Sequence, residues 1–122
     1  MKAFALLVVL VVVAAVLLAN FGHAGQVFSF LEFIPGRDIT GHFGLFGLLS
    51  FSVNSWVAAS SRARTHVTAG LAVLVALEEL SQAVIPARTF SLVDLSASLV
   101  GVAAGAVGSF WLSRPRRGKG AA

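Results

Sequence analysis

Asp38 and His42 stand four residues apart, Glu78, Glu79 and Gln82 form a second group, and Arg88 and Asp94 a third. Each type has a use in a shared site. An imidazole titrates near neutral pH and passes protons, a carboxyl in a dry setting serves as acid or base, and a planar guanidinium grips phosphate or carboxylate with a two-pronged fork. Glu79 and His42 are therefore the acid/base candidates. Arg88 is the candidate anion ligand, with Gln82, Asp38 and Asp94 as further binding and orienting groups. Spacings of three and four residues put Asp38 with His42, and either glutamate with Gln82, on one face of a helix. Charged groups in oily stretches are costly and mark functional sites by default. Four groups of this kind could suit a divalent ion, but no H-E-x-x-H pattern occurs, so no metal is expected. The glycines do not form a phosphate loop, since no strand precedes them and the Lys-Ser/Thr of that motif is missing. No cofactor is expected.

The elements that must position these residues are set by composition. The chain has 122 residues, 57% hydrophobic and 11% charged, with mean hydropathy +0.91. That is far more apolar than an average soluble domain. A bilayer core of about 30 Å needs roughly 20 apolar residues per helix, so the length suits an all-α, four-helix transmembrane bundle forming a single membrane domain over residues 1–122. The expected spans are about 3–19, 38–60, 67–84 and 92–113, with an interfacial connector over 20–37 and a basic tail over 114–122. The first span is uniformly Val, Leu and Ala, so its buried face cannot be read from period. A cleaved signal peptide competes for it, because Met1-Lys2 supplies a positive start; the apolar run is longer than the usual signal core of about 7–15 residues, and no A-x-A site follows.

The connector carries Phe28-Ser29-Phe30-Leu31-Glu32-Phe33, which suits a segment lying on a membrane surface. Asp38 precedes an apolar run and reads as the N-cap of span two. Residues 60–66, with Arg62 and Arg64, read as a polar turn. Glu79 and Gln82 fall in the last turns of span three, where the helix dipole disfavours a carboxylate and capping does not explain it. Pro86 ends that span. Ser91-Leu92-Val93-Asp94 has capping-box spacing with Asp in place of Glu, a reading of Asp94 as a cap that does not exclude its place in the site. On span four Asp94, Ser98, Gly101, Gly105 and Gly108 draw one seam of small residues, and Gly101-x-x-x-Gly105 is a spacing that lets membrane helices approach closely. Gly41, Gly44 and Gly47 give span two a similar narrow side.

Lys2, Arg62, Arg64, Arg114, Arg116, Arg117 and Lys119 fall on one side of the spans, against Arg37 and Arg88 on the other. By the positive-inside rule both termini are cytoplasmic, which makes the expected location the cell membrane, multi-pass, with the polar groups gathered at the outer leaflet. The net charge of +4 and pI near 11.3 fit this asymmetry. The basic residues are not interleaved with aromatics on one face, so nucleic acid is not an expected partner. The chain lacks cysteine, which excludes disulfides and thiolate chemistry.

Asp38-Ile-Thr-Gly-His42-Phe43 with the Gly/Leu run after it, and Glu79-x-x-Gln82-x-x-x-Pro86-x-Arg88-x-x-x-x-x-Asp94 with the Gly-rich seam after it, resemble the two signature stretches of VanZ-like membrane proteins. The likeness covers roughly residues 37–108. It implies a small helical membrane protein, and the namesake of the family is associated with resistance to the glycopeptide teicoplanin. Ser98 stands where the family usually has Asn, which weakens a role needing an amide there, and Ala87 stands where Gly is usual. The expectation is an outer-leaflet polar pocket that binds or processes an amphiphilic, lipid-linked or anionic cell-envelope molecule or an antibiotic of that kind, with the bilayer as the other partner. The rivals are a non-catalytic accessory protein whose polar cluster is a packing network, and a small proton- or ion-coupled transporter. Oligomeric state is left open.

Overall fold

The computed structural model describes residues 2–22, 37–57, 60–86 and 90–113, without the side chains of Arg37 and Asp38. Among the described residues it is all-helical, with no strand: α1 Lys2–Asn20, α2 Arg37–Trp56, α3 Ser61–Ser81 and α4 Leu92–Ser113. The aromatic patch at 28–33, Arg88 and the basic tail after Ser113 lie outside the described residues. Two helices, α1 and α4, are long and apolar enough to cross a bilayer by length and composition. Sequence reading expected four such spans. The polar residues of α2 and the charged ends of α3 keep those two helices below that mark.

Helix ends explain the boundary differences. Ser60 is extended (φ −158°, ψ 158°) and its hydroxyl accepts from Ala63 N at 3.1 Å, satisfying one of the orphan amides of a helix start. Consequently α3 begins at Ser61, and Arg62, Arg64 and His66, expected in a turn, stand on its first turns. At the other end α3 stops at Ser81, and Gln82, Ala83 and Val84 donate backbone bonds three residues back to Glu79, Leu80 and Ser81, the tightened turn typical of a helix terminus. Because α2 starts at Arg37, Asp38 falls inside its first turn rather than before it. The first helix closes where Gly22 takes φ 89° and donates to the Ala19 carbonyl at 3.0 Å, a conformation that costs glycine little.

The most intimate packing is between α2 and α4. A Cβ on Gly101 would lie 2.5 Å from the Phe43 carbonyl oxygen and 3.1 Å from Gly47 N; one on Gly105 would collide with the Gly47 carbonyl oxygen and stand 2.8 Å from Phe51 N. Backbone meets backbone here. Polar contacts continue the same register, with partners 56, 52 and 54 residues apart: His42 with Ser98, Ser50 with the Val102 carbonyl, Ser55 with Ser109. Such a near-constant offset requires the two helices to run parallel. Of the glycines expected to narrow α2, Gly47 does so, while Gly44 has open space around it: steps of three residues drift around a helix and cannot keep three glycines on one face.

Around this pair, α1 packs on α2, and α3 on α2 and α4. Val8, Val12, Phe46, Leu49, Val75 and Val102 form a core to which every helix contributes. The buried face of α1, Ala5, Val8, Val12, Ala15 and Ala19, alternates steps of three and four, the seam of closely packed helices. Side-chain burial is inverted relative to a water-soluble domain. Fully buried positions are mostly polar (Glu79, Asn54, Ser50, Ser52, Ser98, Ser109), whereas Leu10, Leu74 and Leu92 are 62–67% exposed.

The glycine contacts generate a direct test. Gly105→Ala should cost about 1–3 kcal/mol through overpacking, read as a lowered midpoint of thermal unfolding in detergent by circular dichroism. Gly44→Ala should leave the midpoint unchanged or raise it. Equal behaviour of the two variants would contradict the close approach.

Candidate functional site

His42, Glu78, Glu79 and Asp94 stand at the end of the bundle where α2 and α4 begin and α3 finishes. His42, on the second turn of α2, turns inward between two α4 side chains one helical turn apart. Its Nδ1 is 3.0 Å from Ser98 Oγ, and its Nε2 is 3.7 Å from Asp94 Oδ2. The first is a hydrogen bond; the second is ion-pair distance, beyond a direct hydrogen bond. His42 and Asp94 each keep 20% of the side chain exposed, whereas Ser98 is 1% exposed. The Phe46 ring, 6.2 Å from the imidazole, closes the inner side.

Glu79 is the most deeply buried ionisable group described, 1% exposed. Taking a carboxylate out of water costs several kcal/mol unless its oxygens are satisfied. Both are. Oε1 accepts from Ser91 N at 3.1 Å, and Oε2 accepts from Gln82 Nε2 at 3.1 Å. The same Gln82 nitrogen donates to the Glu78 carboxylate at 2.9 and 3.0 Å. Two N–H bonds on one amide thus bridge two carboxylates that would otherwise repel.

Ser91 links the halves. Its hydroxyl accepts from Asp94 N at 3.2 Å and its carbonyl from Leu95 N at 3.0 Å, so it is the N-cap of α4. In an ordinary capping box the acidic side chain three residues on would bond the cap's own N–H. Here that N–H goes to Glu79 of α3, and Asp94 is released to face His42. Sequence reading held that capping could not account for Glu79 at the C-terminal end of a helix. It does cap, but the next helix, whose positive N-terminal end favours a carboxylate.

The singled-out residues thus form two contact groups, His42 with Asp94 and Gln82 with Glu78 and Glu79, joined through Ser91. Arg88 lies outside the described residues, as does the side chain of Asp38. Sequence reasoning missed Ser91 as the shared hinge of the cluster, and it missed a second polar layer deeper in the bundle. There Ser50 Oγ donates to the Val102 carbonyl at 2.7 Å, Asn54 Nδ2 donates to the Ser50 carbonyl at 3.0 Å, and Thr68 Oγ1 reaches Asn54 Oδ1 at 3.4 Å. The available signal was Ser50 and Asn54 at four-residue spacing in an apolar run. Among the described residues every buried side-chain nitrogen and oxygen has a partner, and no group of three or more His, Cys, Asp or Glu is arranged to hold a metal ion.

Comparison with protein-family models, with curated proteins and with solved structures finds no match to this chain.

The cross-helix cap sets the sign of a mutational effect. Glu79→Leu strands the Ser91 N–H and the Gln82 amide and should destabilise by about 1–3 kcal/mol. Glu79→Gln, which keeps a carbonyl for Ser91, should cost less. Replacing a poorly satisfied buried charge by an apolar group often stabilises instead, so a raised unfolding midpoint for Glu79→Leu would refute the cap.

Proposed function

We propose that the chain is a multi-pass membrane protein of the cell envelope, with both termini cytoplasmic, whose polar cluster at the outer ends of α2, α3 and α4 binds or processes an amphiphilic, lipid-linked or anionic envelope molecule. The observation that carries this reading is the inward meeting of His42 and Asp94 beside a fully buried Glu79. Three helices converge on one spot, and each spends buried polar groups there. The membrane setting is supported by the two helices of spanning length and by exposed leucine and valine faces over a polar interior, a surface that water would penalise and lipid tails would not.

Within the cluster the roles divide by exposure. His42 Nε2 and Asp94 form the accessible edge and are the groups that meet a ligand or exchange a proton with it. Glu79 stays an acid/base candidate only through His42, because its own oxygens are engaged. Gln82 positions Glu79, while Arg88 and Asp38 supply anion binding and orientation. The motif stretches that resemble VanZ-like proteins make glycopeptides of the teicoplanin type the first ligand class to try.

A second reading has an observation in its favour. The complete hydrogen bonding of the buried groups is what a non-catalytic packing network would also need.

Topology is tested on a chain that has no native cysteine. Ala83→Cys, in the connection after α3, should react with a membrane-impermeant maleimide in intact cells, and Ser61→Cys should react only after lysis; the reverse pattern inverts the orientation. Function is tested in a glycopeptide-susceptible host, where expression should raise the inhibitory concentration of teicoplanin. His42→Ala should abolish that rise at unchanged membrane abundance. If His42→Ala instead lowers abundance and unfolding midpoint together, the packing network is the better account.

A further inference from the structure

The opposite end of the bundle, where α2 and α4 finish and α3 begins, has a different chemistry. Among the described residues no acidic side chain stands there. Arg62 is exposed and Arg64 half-buried on the first turns of α3. Both tryptophans of the chain flank them, Trp56 at 42% and Trp111 at 65% exposure.

Arg64 is held from two sides. Its Nη2 donates to Ser113 Oγ at 2.6 Å, and its Cζ lies 5.9 Å from the centroid of the Phe110 ring. Ser113 in turn donates to the Phe110 carbonyl at 3.1 Å, so the guanidinium is braced against the last turn of α4. One of its five N–H donors is engaged by Ser113. The planar fork of the remainder matches the oxygens of a phosphate, and a braced side chain loses little further entropy on binding one.

The same level of the molecule is apolar as well as cationic, since Leu112 is 77% exposed beside Phe110 and Trp111. A soluble phosphate or a nucleic acid would meet the charges and leave that hydrocarbon wet. An anion joined to acyl chains answers both, and arginine with tryptophan is the side-chain pairing of a membrane's polar boundary.

We propose that this end of the bundle is a binding surface for the headgroup of an anionic phospholipid, with Arg62 and Arg64 on its phosphate and Trp56 and Trp111 at the level of its glycerol. The inference rests on the membrane reading above and concerns the end of the molecule away from the His42 cluster.

The two tryptophans make the test local. The full chain is reconstituted in vesicles of phosphatidylcholine and phosphatidylglycerol in which one lipid or the other carries brominated acyl chains, and tryptophan quenching reports which lipid occupies this end. The wild type should prefer phosphatidylglycerol by about thirtyfold, the factor expected of two basic residues at about 1 kcal/mol each near an anionic surface. Arg62→Gln/Arg64→Gln should bring the ratio close to unity. High salt should shrink the preference of the unaltered protein, which keeps the test valid should the double variant fold poorly. Equal quenching by both lipids in the wild type, a preference indifferent to salt, or one retained by a folded double variant overturns the inference and leaves the membrane reading standing. Absence of quenching by either lipid overturns both.

Discussion

The close approach of α2 and α4 is the constraint on which the remaining structure depends. At Gly47, Gly101 and Gly105 no side chain separates the two backbones, and only that proximity lets short side chains span the gap. Ser50 reaches a carbonyl of α4 at 2.7 Å, Ser55 reaches Ser109 at 2.9 Å, and His42 reaches Ser98 at 3.0 Å. Each of these bonds is worth about 1 kcal/mol net. Their common register ties the glycine contact in the middle of the bundle to the imidazole at its end. A methyl group at Gly105 would act at a distance, by moving His42 off its partners on α4.

Glu79 solves a second problem. The turn between α3 and α4 must leave one helix and start another while keeping buried amides satisfied. A carboxylate from the helix that ends supplies the acceptor that the starting helix lacks, and Gln82 offsets the repulsion between the two neighbouring glutamates. This exchange frees Asp94 from capping duty and leaves its carboxylate toward His42.

How far this was legible in the chain follows from what sequence period encodes. The four- and three-residue spacings of Asp94, Ser98, Gly101 and Gly105 lie along one line on a helix, and the contact they foretell is present. The inward face of α1 was not legible, because alanine among valine and leucine carries no polarity contrast. The start of α3 was misplaced because Ser, Arg and His suit a turn and a solvated first helical turn equally well, and only the Ser60 cap geometry separates them. The Glu79–Ser91 bond could not be read at all: it depends on the path of the chain between residues 82 and 91, which no periodicity describes. Ser50, Asn54 and Ser55 are not legible as a polar layer because their cross-helix partners, the Val102 carbonyl, Thr68 and Ser109, are invisible along a single segment.

The order Asp94, His42, Ser98 has the residue types of a nucleophilic triad, and burial decides against that chemistry. A nucleophile must meet an electrophilic carbon, yet Ser98 is 1% exposed and lies on the face of α4 that meets α2. A triad carboxylate also orients its histidine through a short hydrogen bond, whereas 3.7 Å separates Asp94 from His42. The bond from Ser98 is better understood as the orienting one. It fixes the imidazole through Nδ1 and leaves Nε2 toward the partly exposed carboxylate. Burial of Ser98 and the 3.7 Å between His42 and Asp94 therefore argue against covalent catalysis by this serine.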